Sequence, residues 1–136
     1  MGQQQLLLII LGVIIVGIAI AVGLSLFSAQ SIQSNRDAII NDLNNLAAQA
    51  YQHKIRPASM GGGNGAYDGS TTTPTATVFV IPSKMSANEN ASYAATVTAT
   101  TVTVVATSTQ DAANKVTAVI DADGKLGGWT YVGAFQ

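Results

Sequence analysis

Between Leu6 and Phe27 the chain reads LLLIILGVIIVGIAIAVGLSLF, an aliphatic run broken only by glycines and one serine. Coiled as a helix it would be about 33 Å long at ~1.5 Å per residue, enough for a hydrocarbon core of ~30 Å. So long a run exceeds what the interior of one small domain can bury. No Asp, Glu, Lys, Arg or His precedes Arg36. A secretory signal peptide would want a basic start, a shorter apolar core and a small-residue cleavage site. The opening MGQQQ has no basic residue. An ordinary single-pass anchor fits the run, but Arg36 alone is too little charge to set an orientation.

The segment after the run adds a constraint. Ile32, Ile39, Ile40, Leu43, Leu46, Ala47, Ala50 and Tyr51 recur at spacings of three and four. That spacing makes one apolar face of a helix. Asn35, Asp37, Asn41, Asp42, Asn44, Asn45 and Gln49 fall on the polar side. No proline occurs before Pro57 and no glycine lies between Gly23 and Gly61. One helix is therefore expected from about Gln3 to about Lys54, apolar all round in its first half and amphipathic in its second. The first half needs lipid or neighbouring copies of itself, and the second half needs a small domain on its stripe. Gly12, Gly17 and Gly23 lie in the first half, where small residues permit close helix approach or mark places of local unwinding, or where glycine is simply common in membrane helices.

Pro57 disfavours further helix. Met60-Gly61-Gly62-Gly63-Asn64-Gly65 reads as a flexible loop, and it lacks the Lys-Ser/Thr of a phosphate-binding loop. The texture then turns to β. Candidate strands are Thr75–Ile81, Tyr93–Thr98, Val102–Thr107, Lys115–Asp121 and Trp129–Phe135, with Asp123-Gly124 as a hairpin turn. The expected fold is α+β, a long N-terminal helix with a small C-terminal antiparallel sheet of about four strands. Its segments are 1–28 (apolar helix), 29–56 (amphipathic continuation) and 57–136 (sheet domain). Core candidates are Val78, Val80, Tyr93, Val97, Val102, Val104, Val119, Trp129, Tyr131 and Phe135, with the threonine faces turned to water.

Much chemistry is excluded. Only 10% of residues are charged, and the six Lys and Arg are scattered, so there is no nucleic-acid footprint. Cysteine is absent, which removes disulfides and thiolate metal sites. His53 is the only histidine and has no nucleophile elbow beside it, so no enzyme reading or cofactor has support. Asp121 and Asp123 open like a calcium loop but lack the later ligands, leaving a weak metal candidate better read as a turn. Asn90-Ala91-Ser92 is a glycosylation sequon, and Thr72 and Thr73 lie in a hydroxyl-dense stretch open to O-glycosylation.

The short polar start, the apolar helix from Gly2 to Phe27, its amphipathic continuation, the glycine-rich loop and the sheet together resemble the type IV pilin-like family, over essentially the whole chain. The resemblance implies a precursor held in the inner membrane and processed by a prepilin peptidase. An assembly machinery then extrudes it into an extracellular helical homopolymer (a fimbrium). Such filaments serve adhesion, motility, DNA uptake or electron transfer. Cleavage after Gly2 would make Gln3 the mature, often methylated, N-terminus; alternatively Met1 already follows a leader. Gln5, Leu8, Leu11, Ile14, Ile15, Ile18 and Val22 would build the assembly core. Most family members carry a glutamate four residues after the mature N-terminus. With Met1 as that terminus Gln5 stands there, and with Gln3 it is Leu7; Gln5 can accept a hydrogen bond but cannot neutralise a terminal amine. A minor pilin or secretion pseudopilin would share the layout. A monomeric membrane-anchored binding module is the alternative of another class.

Overall fold

A computed structural model describes residues 2–71 and 76–136. A single α-helix, α1, covers Gly2–Ile55. Four strands follow: β1 (Ala91–Val97), β2 (Val102–Ser108), β3 (Lys115–Ile120) and β4 (Leu126–Val132). They form one antiparallel sheet in the order β1-β2-β3-β4. The fold is therefore the expected α+β layout, a long helix followed by a four-stranded meander. The chain divides into two compact units, one ending at Ser34 and the other running from Asn35 to Gln136.

In the first unit the residues of α1 from Gly2 to Gln30 are all exposed. In the second, Ile39, Leu43, Leu46, Ala47 and Ala50 form the buried stripe of the helix. The sheet answers it with every second residue of β2 and β3: Val102, Val104 and Ala106, then Val116, Ala118 and Ile120. This is the period of two expected of a sheet with one covered face. The other face carries Thr103, Val105, Thr107, Thr117 and Val119, all half-exposed.

Several expectations are corrected. Asn35 was placed on the polar side of the helix, yet it is only 6% exposed. The run from Ala76 to Ile81 forms no strand, and Thr75 lies outside the described residues. Its donors go elsewhere: Thr77 N–H donates to the Gly62 carbonyl at 3.1 Å and Phe79 N–H to that of Tyr67 at 2.7 Å. Alternation survives with the opposite phase. Phe79 and Ile81 are buried while Val78 and Val80, expected in the core, are 51% and 75% exposed. In an all-apolar VFV run the pattern cannot say which side faces in. Tyr93, Val102, Val104 and Phe135 are buried as expected, but Val97, Val119, Trp129 and Tyr131 are only partly covered. Val119 sits beside a register shift between β3 and β4, which spoils simple counting. The closing strand ends at Val132, because Gly133 (φ 74°) turns the chain into a short 3₁₀ helix, Gly133–Phe135.

The glycine loop is a built cap, not a free linker. Gly63 N–H donates to the His53 carbonyl at 2.8 Å, Gly65 N–H to Lys54 at 2.7 Å and Asn64 N–H to Arg56 at 3.0 Å. These bonds satisfy carbonyls that the end of a helix would otherwise leave open. So close an approach excludes side chains, since a Cβ on Gly63 would lie 1.9 Å from the Ala66 carbonyl oxygen. Gly63→Ala should therefore destabilise the sheet unit by about 1–3 kcal/mol or more. A thermal melt of the full chain in detergent micelles will show this as a lowered midpoint. Gly12→Ala, which would meet nothing within 4 Å, should leave the midpoint unchanged.

Candidate functional site

Two features stand out, one in each unit. The first is the apolar surface of α1. Leu6 through Phe27 present every large side chain to the exterior, with Ile14 at 52% and Ile18 at 59% exposure. The helix is long and apolar enough to cross a membrane. Leu8, Leu11, Ile14, Ile15, Ile18 and Val22 share one side of it by their spacing, but Val13, Val16, Ile20 and Leu24 on other sides are just as apolar and exposed. The surface thus offers no single seam. Gln5 lies on the same helix and is exposed, with Gly2 and Gln3 before it. Met1, Thr72 and Thr73 lie outside the described residues.

The second feature is a polar seam joining the helix to β1 and the segment before it. Asp42 Oδ2 accepts hydrogen bonds from Tyr93 Oη at 2.6 Å, Asn88 Nδ2 at 2.8 Å and Asn90 Nδ2 at 3.1 Å. Two turns earlier, Asn35 Nδ2 donates to the Asn90 carbonyl at 3.1 Å, and Ser108 Oγ donates to Asn35 Oδ1 at 2.7 Å. Asn35 and Ser108 are buried, so each satisfies a group that would otherwise be costly. Asn90, a glycosylation candidate, thus has its amide nitrogen committed to Asp42 in this arrangement. Sequence reading missed this seam because Asn and Asp at helical spacing read as solvated. The only signal was that Asn35 lies four residues before Ile39, in line with the buried stripe.

Asp121 and Asp123 close a turn. Asp121 Oδ1 accepts the amides of Asp123 and Lys125, each at 2.9 Å. Among the described residues no three His, Cys, Asp or Glu side chains gather as a metal site would require. His53 Nε2 lies 2.8 Å from the Thr77 carbonyl, and its ring rests near Phe79. Lys54 Nζ donates to the Ala122 carbonyl, and Tyr67 Oη donates to that of Asp121 at 2.6 Å. Both bonds tie the helix end and its cap to the β3–β4 hairpin. A shallow groove of about 480 Å³ lies between β1 and the extended segment, lined by Val78, Val80, Tyr93 and Val97 among others.

Comparison with protein-family models, curated proteins and solved structures finds no match to this chain.

The seam has a pH signature. Burial, the largest single influence on Asp42, pushes its carboxyl up, but the bonds from Tyr93, Asn88 and Asn90 together outweigh it and hold the carboxyl below its ordinary value. Burial, and then the bond to Asp42, raise the Tyr93 hydroxyl in turn. A depressed carboxyl contributes stability that is present above its unfolded-state value of 3.8 and lost as pH falls through its folded-state value. The thermal midpoint should accordingly fall on acidification below about pH 4. In Asp42→Asn that part of the acid dependence should be gone, with a lower midpoint at neutral pH. Melts across a pH series, compared between the two proteins, check both.

Proposed function

We propose that this chain is the structural subunit of an extracellular helical filament of the type IV pilin kind, built by packing its apolar helices together. The observation that carries this reading is the uninterrupted exposed apolar surface from Leu6 to Phe27, with no charged side chain before Arg36. Such a surface has two stable surroundings, hydrocarbon and other apolar helices. A precursor in the inner membrane and a polymer outside the cell use them in succession. The transfer exchanges lipid contacts for protein contacts and never exposes the surface to water. The partners are then other copies of the chain, a prepilin peptidase and an assembly machinery.

The sheet unit supports the reading in a second way. Its outer face is rich in threonine and valine and poor in charge, which suits a surface repeated many times along a polymer without building up repulsion. A minor subunit of the same filament would look alike, and copy number separates the two.

Shearing cells and sizing the released material tests the reading. The chain should appear in long sheared polymers. Recovery solely as a detergent-soluble membrane monomer would sink the filament and leave the anchored module. Mass spectrometry of the N-terminal peptide should show whether the mature chain begins at Met1 or Gln3, and whether it is methylated.

Replacing Ile14 or Ile18 by Asp should abolish sheared polymer while leaving the melt of the sheet unit unchanged. Either change puts an unpaired carboxylate among apolar side chains, at a cost of several kcal/mol per copy. Filaments in normal amount from either variant would mean that the polymer core lies elsewhere.

A further inference from the structure

Arg36 is the first charged residue of the chain and lies on the helix that carries the apolar run. Its guanidinium carbon sits 4.3 Å from the centroid of the Tyr131 ring. Trp129 stacks parallel to Tyr131, with ring centroids 6.3 Å apart and an angle of 3° between planes. All three side chains are half-exposed. Among the described residues Arg36 forms no ion pair, and its buried Nε has no acceptor. With Nε sealed, the terminal amino groups are the donors Arg36 offers outward.

A cation without an ion-pair partner, set over the Tyr131 ring that Trp129 flanks, suits an oxyanion. The planar fork of arginine matches two oxygens of a phosphate. Tyrosine and tryptophan combine an apolar body with a polar tip, which suits them to the headgroup level of a bilayer. The same helix supplies the candidate span. We propose that Arg36, Tyr131 and Trp129 form a binding site for the headgroup phosphate of a membrane lipid, occupied while the helix lies in the bilayer. Arg36 takes the phosphate oxygens, and the two rings occupy the interface beside it. The inference rests on the membrane reading of the helix and is independent of filament assembly.

Trp129 is the only tryptophan in the chain, so its fluorescence reports this site alone. The full chain is reconstituted in phosphatidylcholine vesicles carrying brominated lipids, with bromine placed either near the headgroup or at mid-chain. Shallow bromines should quench Trp129 more than deep ones, since the proposed site holds the ring at the depth of the headgroup. Arg36→Gln should lose that preference and Arg36→Lys, which keeps the charge but not the fork, should retain part of it. In maltoside micelles, excess inorganic phosphate should leave the emission unchanged. A response to free phosphate without quenching in vesicles would assign the site to a soluble anion and overturn the proposal. Unquenched Trp129 in protein that co-floats with the vesicles would also overturn it while sparing the span, and protein that fails to co-float would overturn both. A melt of each variant confirms that the sheet unit is folded, and Arg36→Lys decides should Arg36→Gln not fold.

Discussion

Water is the wrong solvent for the first part of this chain, and the rest of the molecule is arranged around that fact. Burying apolar surface is worth about 25 cal/mol per Å². A helix of exposed leucine, isoleucine and valine therefore stays in aqueous solution only as an aggregate. Its own backbone is satisfied, because a helix closes its hydrogen bonds within itself. Only the side chains need a partner. Among the described residues none covers Leu6 to Phe27, which leaves lipid or other protein as the partner.

The second unit solves the ordinary problem of a small domain with the same helix. A four-stranded meander covers one face of itself with Ile39, Leu43, Leu46 and Ala47, and it adds polar fastenings on both flanks of the helix. On one flank Asp42 gathers Tyr93, Asn88 and Asn90; on the other Arg36 reaches Tyr131 and Tyr51 lies against Gly124. Apolar contacts alone would let a helix slide along a flat sheet of valines and alanines. Directional bonds from Asn35 and Asp42 fix its register. The glycine cap fixes where the helix stops, since Gly63 and Gly65 hold the last carbonyls.

How legible this was depends on what each residue reports. The helix was plain in the sequence, because a long uncharged run and a clean three-four spacing leave no other period. The hairpin at Asp123-Gly124 was plain because Gly124 needs a positive φ, here 81°, that its neighbours avoid. The segment Ala76–Ile81 misled because its composition is that of a strand while its hydrogen bonds go to the capping loop, a tertiary choice that no local pattern records. Asn35, Asp42 and Ser108 were invisible for a related reason. A polar residue on a helix or strand reads as solvated unless its partner is known, and each partner lies more than forty positions away. The candidate site of the first unit was read by composition. The Arg36–Tyr131–Trp129 stack needed the fold.

The glycines of the apolar run carry the argument one step further. A Cβ at Gly12, Gly17 or Gly23 would meet nothing within 4 Å. Each glycine weakens its helix by about 1 kcal/mol relative to alanine. Among the described residues nothing packs against these positions, in contrast to Gly63, where a neighbouring carbonyl forbids a side chain. Positions that are costly to the isolated helix and sterically free within it derive their use from outside. In lipid a glycine gains nothing from the bilayer, whose tails fit an alanine as well. Against another helix it removes a methyl group from the closest approach and lets two backbones come together. Glycine is also common in membrane helices at large, so these positions suit a lipid-embedded span as well; against a neighbouring helix, as the proposed polymer would supply, they would permit close backbone approach.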